Sequence, residues 1–323
     1  MAVGILLVGG FGTRLKPLTS ESPKPMLPVA GLPVTEHQIV AAKRAGIHTL
    51  VLATSYLSEV FTPYFGDGSQ WGIKILYAVE KEPLGTGGAI RNAAQLLDLD
   101  QLGDEPIVIF NGDVLSRHSI AEQIKFHQAH HADVTLHLID VEDARAFGCV
   151  PTDEHGRVTA FLEKMDNPIT NSINAGCYVF HPSVLNRIPL DTVVSIERET
   201  FPALVESGRP VFGYKDQSYW LDVGTPAALF QGSRDLIEGE YQAMSGCQID
   251  SSATISGKSS LGKNVKVGAG AQIDGCIIGD EVVIGDGAQL EKCFIFHHTV
   301  IPGGSVQSRQ YLSSAISEPI NLP

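Results

Sequence analysis

The stretch Val8-Gly9-Gly10-Phe11-Gly12-Thr13-Arg14 follows directly on an apolar run, Ile5 to Val8, near the start of the chain. Such a run is typical of a buried parallel strand. The glycines permit positive φ angles and place no Cβ in the way of a phosphate group. Backbone N–H groups of such a loop can form an anion-binding concavity, to which Arg14 and Lys24 add full positive charges. The stretch therefore predicts a strand followed by a phosphate-binding loop.

This loop is neither of two familiar phosphate-binding motifs. No Gly-Lys-Ser/Thr follows it, and Leu15 stands where the third glycine of a dinucleotide-binding fingerprint would be. An ordinary strand-to-helix turn is the alternative, but Arg14 and the triplet Pro23-Lys24-Pro25 favour phosphate binding. Four prolines between Lys16 and Pro28 predict that the following segment is extended and rigid.

Composition excludes several classes of protein. The chain has 323 residues, of which 43% are hydrophobic and 18% charged, as in an ordinary globular protein. A net charge of −13 argues against nucleic acid or an anionic membrane as a partner. Five cysteines without Cys-x-x-Cys spacing favour free thiols. With no signal-peptide pattern at the start and no apolar run of membrane-spanning length, we expect a cytoplasmic protein.

Strand and helix patterns alternate over the first half of the chain. Helical spacing covers Val34 to Ala45, Tyr56 to Phe65, Thr86 to Leu97 and Ser119 to Ala129, and apolar strand patterns lie between these segments. This alternation predicts an α/β fold with a Rossmann-like, mostly parallel sheet and right-handed crossovers. Ligands bind beyond the carboxyl ends of such strands, where both the glycine loop and Asn111-Gly112-Asp113 are expected.

The pattern loosens after residue 147. Short strands over Arg157–Glu163 and Ile173–Phe180 predict a mixed extension of the sheet, and Pro226 to Glu240 predicts a closing helix. These patterns predict one α/β domain over residues 1–240.

A different sequence pattern begins after this helix. Apolar residues recur every six positions from Ile249 to Ile273, the phase slips at Cys276-Ile277-Ile278, and the pattern then resumes towards Ile301. One apolar residue in six, often followed by glycine, is the signature of a left-handed parallel β-helix. We predict such a domain over residues 246–315, with about three coils, and interpret it as an oligomerisation module. A hexapeptide acyltransferase is a weaker alternative, because these enzymes usually have more coils.

Four further clusters carry candidate chemistry. Asp113 and Asp222 offer carboxylates that could share a Mg²⁺ ion, although a turn-capping aspartate is the commoner explanation for each. Gly85 and Thr86 open a helix whose N–H groups could hold a base edge or an anion, or simply cap the helix. Glu163 and Lys164 place an acceptor beside a cation, which suits a sugar hydroxyl and its phosphate; a surface ion pair is the alternative. The carboxamide of Asn174 can read hydroxyl groups.

Taken together, these motifs resemble those of the sugar-1-phosphate nucleotidylyltransferases, over essentially the whole chain. The resemblance is carried, in order, by Gly9 to Arg14, Pro23 to Pro28, Glu80 to Gly88, Asn111-Gly112-Asp113, Phe147-Gly148-Cys149-Val150, Phe161-Leu162-Glu163-Lys164, Asn174-Ala175-Gly176, Ser195-Ile196-Glu197-Arg198-Glu199 and Trp220 to Pro226. The sequence is most similar to the mannose-1-phosphate guanylyltransferase branch of that family, in its actinobacterial form. One departure is Met165, where the family usually has proline after the Glu-Lys pair.

The resemblance implies that residues 1–240 form a nucleotidylyltransferase catalytic domain with the nucleotide-diphospho-sugar transferase type of fold. It also implies a role for each group of residues. Nucleotide would be bound by Gly9, Gly10, Gly12, Thr13, Arg14, Glu80, Gly85, Thr86 and Asn111. The sugar phosphate would be bound by Gly148, Glu163, Lys164 and Asn174. Catalysis would depend on Arg14, Lys24, Asp113 and Asp222, the two aspartates holding Mg²⁺.

The reaction implied is GTP plus mannose 1-phosphate giving GDP-mannose and pyrophosphate, in a homo-oligomer with the β-helix at the interface. Guanine presents adjacent N1–H and N2–H₂ donors, so we predict that Glu80 accepts from it; a glutamate facing solvent at a strand end is an equally weighted alternative. Another open alternative is a glucose-1-phosphate nucleotidylyltransferase using dTTP, UTP or ATP. A non-catalytic, nucleotide-sugar-sensing paralogue is disfavoured, because Arg14, Lys24, Asp113 and Asp222 are all present.

Overall fold

A computed structural model describes residues 2–10, 12–54 and 58–322 of the chain. Contacts divide the chain into two compact units. The first unit is Met1–Gly10 with Gln38–Trp220, and the second is Phe11–His37 with Leu221–Pro323. The glycine loop therefore changes unit after Gly10, and the segment up to His37 is grouped with the C-terminal part of the chain. The predicted domain boundary between residues 240 and 246 stays a prediction.

In chain order the strands up to the β-helix are β1 (Ala2–Leu7), β2 (Pro28–Val29), β3 (Leu32–Pro33), β4 (Ile47–Thr54), β5 (Lys74–Val79), β6 (Ile107–Asn111), β7 (Val114–Ser116), β8 (Val134–Asp140), β9 (Gly148–Cys149), β10 (Leu162–Glu163), β11 (Ser172–Phe180), β12 (Val211–Lys215) and β13 (Trp220–Asp222). The α-helices are α1 (Val34–Arg44), α2 (Phe61–Phe65), α3 (Gly85–Ala94), α4 (Leu99–Leu102), α5 (Ile120–Ala129), α6 (Phe201–Glu206) and α7 (Pro226–Leu236). The strands of the β-helix are β14 (Tyr241–Ala243), β15 (Gln248–Ile249), β16 (Thr254–Ser256), β17 (Ser259–Leu261), β18 (Lys266–Val267), β19 (Gln272–Asp274), β20 (Ile277–Ile278), β21 (Val283–Ile284), β22 (Gln289–Glu291), β23 (Phe294–Ile295), β24 (Val300–Ile301), β25 (Val306–Ser308), β26 (Gln310–Leu312) and β27 (Ser317–Pro319). Among the described residues, no helix combines the length and the apolar character needed to cross a bilayer.

The first unit is built on one nine-stranded mixed sheet. Strand β1 lies between β4 and β6 and is parallel to both, and β5 continues the parallel half beyond β4. The other half reverses direction, because β11 pairs antiparallel with both β6 and β8. Residues such as Ile5, Val51 and Ile109 are fully buried, because helices cover a parallel sheet on both faces. The predicted Rossmann-like sheet with a mixed extension is confirmed.

Strands β1 and β6 approach each other closely at their carboxyl ends. The N–H of Gly112 donates to the carbonyl oxygen of Leu7 at 2.9 Å. A Cβ on Gly112 would lie 2.2 Å from that same oxygen, so no residue with a side chain fits there without moving the backbone. The Asn111-Gly112-Asp113 turn is therefore fixed against the end of β1 by a steric constraint.

The second unit contains a parallel β-helix with three sheets. Its strands stack in columns, β15-β18-β21-β24 and β16-β19-β22-β25 with four strands each, and a third column that starts at β14 and ends with the antiparallel β27. Isoleucine, leucine, valine, alanine and cysteine side chains fill the space between the sheets and form a continuous core. Each coil cannot bury its apolar face alone, so stacking provides the core. The predicted β-helix is confirmed.

The β-helix has four coils, so the prediction of about three was too low. Gln248 pairs with Lys266 eighteen residues on, whereas Lys266 pairs with Val283, and Val283 with Val300, seventeen residues on. One hexapeptide in each later coil is therefore a residue short. The missing residue explains the phase slip near Cys276. Because the shortening recurs in each later coil, the last coil does not fit a strict period of six residues.

Several predicted segments differ in extent from the structure, among them the helix predicted over Thr86 to Leu97, which covers Gly85–Ala94. The strand predicted over Arg157–Glu163 is limited to Leu162–Glu163, and Arg157 and Val158 make only isolated bridges. The helix predicted to reach Glu240 ends at Leu236. The segment from Lys16 to Pro28 is not extended: it consists of tight turns, with a short 3₁₀ helix at Lys24–Met26. The start of the helix predicted from Tyr56 lies outside the described residues.

The contact at Gly112 leads to a stability prediction. We expect Gly112→Ala to destabilise the protein by about 2–4 kcal/mol, because its Cβ must displace the backbone of β1. Thermal unfolding followed by circular dichroism measures this as a lower midpoint. Gly239→Ala is the matched control, because its Cβ would make an ordinary contact of 3.8 Å. Equal midpoints for the two variants would contradict the steric argument.

Candidate functional site

In the second unit, the glycine loop folds back on the segment that follows it. Gly12 has a left-handed backbone conformation with φ of 57°, and a Cβ there would lie 3.0 Å from both the Lys24 Cβ and the Thr19 Cγ2. The Thr19 hydroxyl donates to the Gly12 carbonyl oxygen at 3.1 Å. The buried Leu15 anchors the turn between them. Glycine at position 12 therefore lets Lys24 come within van der Waals distance of the loop.

Lys24 pairs with a carboxylate that lies near Arg14 as well. The Lys24 Nζ lies 3.8 Å from the Asp222 Oδ1, and the two side chains are only 13% and 24% exposed. Gly224 leaves room beside them, since a Cβ there would lie 2.9 Å from both the Arg14 Nη2 and the Asp222 Oδ1. Arg14, Lys24 and Asp222 are thus brought together within the second unit. Two cations and one anion leave a net positive charge that suits a phosphate group.

Four residues of the glycine loop are exposed. Gly9 and Gly10 follow β1 in the first unit and are exposed, as are Thr13 and Arg14 in the second. Accessible backbone N–H groups are what an anion-binding loop requires. The role of these residues in binding a triphosphate stays a prediction.

Glu80 follows β5 and ends in a half-buried carboxylate. Its backbone N–H donates to the carbonyl oxygen of Thr54 at 2.9 Å, which fixes its position. The Oε1 atom is buried and has no hydrogen-bond partner among the described residues. Burial raises the pKa of Glu80, and a hydrogen bond from the backbone of Leu84 opposes that shift. A buried acceptor without a donor is costly unless a ligand supplies one. The alternative of a solvent-facing glutamate is therefore disfavoured.

The start of α3 is occupied by another part of the same unit. The amides of Gly87 and Gly88 donate to the carbonyl oxygen of Val194, at 2.8 and 3.4 Å. The Thr86 hydroxyl donates to the Glu197 Oε2 at 2.6 Å and accepts from the Ile196 amide at 2.9 Å.

Several donors at this helix end therefore have partners within the protein. Gly85 opens the helix against the Val194 backbone, to which its Cβ would come within 2.6 Å. A base pocket formed by Gly85 and Thr86 stays a prediction.

Asn111 and Asn174 come together around a buried tyrosine. The Asn174 Nδ2 donates to the Tyr178 hydroxyl at 2.9 Å, and its Oδ1 accepts from the Gly176 amide at 3.1 Å. A Cβ on Gly176 would lie 3.0 Å from the Asn111 Nδ2, so glycine makes room for that side chain. Burial raises the pKa of Tyr178 well above its usual value, which keeps the phenol protonated. An irregularity in the β11–β8 register between Asn174 and Tyr178 produces this arrangement.

Gly148 and Glu163 face each other across β9 and β10. They are register partners, and a Cβ on Gly148 would lie 2.8 Å from the Glu163 Oε2. Burial raises the pKa of Glu163, while the positive charge of Lys164 lowers it and the negative charge of Glu197 raises it. The Lys164 Nζ lies 3.9 Å from the Glu163 Oε1, and its side chain is 62% exposed. The predicted sugar-phosphate residues Gly148, Glu163 and Lys164 are therefore neighbours.

Sequence reasoning gave no role to Glu197 or Tyr178. Glu197 lies in a π-helical turn, Ile196–Thr200, a feature that occurs frequently at functional sites. Its Oε2 accepts from the hydroxyls of Thr86 and Ser195, and its charge acts on Glu163. The motif Ser195 to Glu199 was the available signal, because it is part of the family resemblance without an assigned function.

The two predicted metal ligands belong to different units. Asp113 follows β6 in the first, and Asp222 ends β13 in the second. Among the described residues there is no group of three or more histidine, cysteine, aspartate or glutamate side chains that could hold a metal ion. Mg²⁺ is usually held by one or two carboxylates together with waters and substrate phosphates. A shared Mg²⁺ site of Asp113 and Asp222 stays a prediction.

The chain belongs to the nucleotidyl transferase family and is a nucleotidyltransferase enzyme. The family model described as "Nucleotidyl transferase" matches residues 3–239, and the model "Bacterial transferase hexapeptide (six repeats)" matches residues 258–292. Enzymes of this family use a divalent metal ion. The hexapeptide match agrees with the left-handed type of β-helix that the sequence predicts.

Two individual relatives of this chain have more specific names than the family. A protein of Mycobacterium tuberculosis named "Mannose-1-phosphate guanylyltransferase" is 47% identical over 289 residues, which cover 85% of this chain and 79% of the relative. The Danio rerio "Mannose-1-phosphate guanylyltransferase catalytic subunit beta" is 39% identical over 230 residues, covering 71% of this chain and 62% of that protein.

A solved structure supports the fold alone. It is a Bacillus anthracis protein assigned as a glucose-1-phosphate thymidylyltransferase, with a TM-score of 0.65 and 23% identity. The match covers 74% of this chain and 98% of that chain.

Proposed function

We propose that this protein transfers GMP from GTP to mannose 1-phosphate, giving GDP-mannose and pyrophosphate. The observation that carries the proposal is the 47% identity to the mycobacterial mannose-1-phosphate guanylyltransferase over 85% of the chain. The arrangement of the predicted residues within each unit is compatible with this reaction. No specific observation favours another sugar or base.

Lys24 and Arg14 are the proposed triphosphate-binding cations. The reaction brings two polyanions together, so its main requirements are positioning and charge neutralisation. Lys24 is held at Asp222 with little exposure, which limits the directions that its flexible side chain can take. Arg14 is exposed, and its Nη2 lies beside Gly224. Together they can neutralise the α-phosphate as it reacts and the departing pyrophosphate.

The chemical step needs no general base. A phosphate oxygen of mannose 1-phosphate is already anionic near neutral pH, and it attacks the α-phosphorus in line with the departing pyrophosphate. Asp113 and Asp222 would hold Mg²⁺, which when bound supplies positive charge to the phosphate oxygens. Gly9, Gly10, Gly12 and Thr13 contribute backbone N–H groups, which need no side-chain rearrangement during the reaction.

The sugar half of the site is proposed on β9, β10 and β11. Glu163 is a half-buried carboxylate that can accept from a sugar hydroxyl, and Gly148 gives it room. The exposed ammonium of Lys164 can reach the sugar phosphate. Asn174 keeps its carboxamide oriented through Tyr178, which leaves one of its amide hydrogens for a ligand.

Substrate choice tests the proposal directly. Purified protein with Mg²⁺ should release pyrophosphate fastest from GTP with mannose 1-phosphate, compared with dTTP, UTP and ATP and with glucose 1-phosphate. A colorimetric pyrophosphate assay with each pair measures this, and chromatography identifies GDP-mannose. Preference for glucose 1-phosphate with dTTP, UTP or ATP would overturn the proposal in favour of the related activity. No turnover with any pair would favour a nucleotide-sugar-sensing role.

Glu80 provides a base-specificity and pH prediction. Its buried Oε1 has no partner within the protein among the described residues, and its two carboxylate oxygens can accept from guanine N1–H and N2–H₂ together only when the carboxyl is ionised. Because burial raises the pKa of Glu80, acidification should protonate it at a higher pH than an exposed glutamate, and the KM for GTP should rise as the pH falls through that range. The Glu80→Gln variant should lose this pH dependence and reduce the preference for GTP over UTP by at least about tenfold.

Inosine triphosphate tests the contribution of the guanine N2 amino group, because its base keeps N1–H but has no amino group at that position. Wild-type enzyme should prefer GTP to inosine triphosphate, and Glu80→Gln should narrow that gap. Glu82→Gln is the matched control, since Glu82 is exposed and two residues away. If Glu80→Gln keeps the wild-type preference for GTP over UTP and dTTP, Glu80 does not read the base.

A cytoplasmic homo-oligomer with the β-helix at its interface is also part of the proposal. Support comes from three exposed valines on the β-helix, Val283, Val300 and Val306, which are 37%, 66% and 69% exposed. Light scattering after size exclusion should give a multiple of the 34.6 kDa chain mass. Val300→Lys with Val306→Lys should shift the mass towards the monomer; a monomeric wild-type protein would contradict the proposal.

A further inference from the structure

A hydrogen bond joins the last coil of the β-helix to the segment between the glycine loop and Lys24. The Tyr311 hydroxyl donates to the Glu21 Oε2 at 2.7 Å, across 290 residues of sequence and within the second unit. Burial, this hydrogen bond and the nearby negative charges raise the pKa of Tyr311. The phenol therefore remains a protonated donor throughout the working pH range.

Tyr311 is a rigid anchor for this hydrogen bond. Its side chain is fully buried, and its ring stacks on Phe294 with centroids 5.8 Å apart. Its strand, β26, is paired on both sides, parallel to β23 and antiparallel to β27. Because both neighbours restrain the backbone, the hydroxyl has a fixed position relative to the β-helix. Glu21, in contrast, lies in an exposed turn.

The same segment is held again on the other side of Lys24. The amide of Ala30 donates to the Ser233 hydroxyl at 3.1 Å, and the Gln242 Nε2 donates to the Ala30 carbonyl oxygen at 2.9 Å. Next to it, Gly31 lies so close to Met244 that a Cβ would be 3.0 Å from the sulfur. Lys24 thus lies in a segment attached at Glu21 and at Ala30 to parts of one unit.

We propose that the β-helix positions Lys24 for catalysis, with Tyr311 and Glu21 as positioning residues. This inference rests on the proposed function, in which Lys24 acts on the reacting phosphates. Pro23 and Pro25 flank Lys24 and restrict its backbone, so fixing Glu21 two residues before Pro23 restricts where the Lys24 side chain begins. A misplaced cation would still attract GTP but would stabilise the transition state less well.

Tyr311→Phe tests the proposal because it removes the hydroxyl and keeps the ring. We expect kcat to fall about tenfold, while KM for GTP and for mannose 1-phosphate stays within about twofold of wild type. Glu21→Ala should have the same effect, and the double variant should be no slower than either single variant. Glu21→Gln retains an acceptor for the phenol and should recover most of the loss.

The conformational order of the segment between residues 12 and 37 can be measured by proteolysis, without an activity assay. Arg14–Leu15 is the only bond between residues 12 and 37 that trypsin should cut, because Lys16 and Lys24 are each followed by proline. Mass spectrometry of a digestion time course should show faster cleavage at this bond in Tyr311→Phe and Glu21→Ala. Tyr77→Phe is the control: it removes a hydroxyl that donates to the Gly66 carbonyl oxygen at 2.6 Å in the first unit, and should leave the cleavage rate unchanged.

Three outcomes would overturn the positioning role. These are wild-type kcat with unchanged cleavage in Tyr311→Phe, a double variant with multiplied losses, or a kcat loss matched by a lower unfolding midpoint and a smaller active fraction. Failure of the proposed function is distinguishable from these. If wild type releases no pyrophosphate from GTP and mannose 1-phosphate, the function is wrong, and the cleavage rates still decide whether Tyr311 holds the segment.

Discussion

The ion pair of Lys24 with Asp222 is the interaction on which the candidate site depends. A lysine ammonium on a flexible stem has no preferred direction of its own, whereas phosphoryl transfer needs charge that is already in place. Asp222 gives the ammonium a direction at a distance of 3.8 Å, and Gly12 and Gly224 leave space for the groups around it. The carboxylate therefore orders a cation, and in the proposed function the same carboxylate would also hold a metal ion.

Much of the fold was predictable because burial imposes periods on the sequence. Continuous apolar runs marked the strands of the parallel sheet, and one apolar residue in six marked the β-helix. The number of coils was not predictable from that period. Later coils are one residue shorter, and the inward position of the last coil, next to Leu290 in β22, is Gln307. A polar residue at the end of a solenoid removes the signal that identifies a coil.

The candidate site was predictable where backbone chemistry dictates the residue, as at Gly12 and Gly148. It was not predictable where two distant side chains meet. Thr86 and Glu197 lie 111 residues apart, and their hydrogen bond has no local pattern. The role of Tyr178 depends on an irregularity in β11, and the compact turns after the glycine loop depend on contacts within the second unit. Such features follow from packing, which sequence spacing does not encode.

The attachment of Tyr311 to Glu21 also restricts the number of coils that the β-helix can have. Solenoids usually gain or lose whole repeats easily, because each repeat contacts only its neighbours. Here one coil more or less would move the final tyrosine by about 4.8 Å, one strand spacing, along the solenoid. That displacement exceeds the reach of a hydrogen bond, so the number of coils before Tyr311 cannot drift during evolution while the attachment is kept. Length variation would instead be confined to the turns or to residues beyond the last strand.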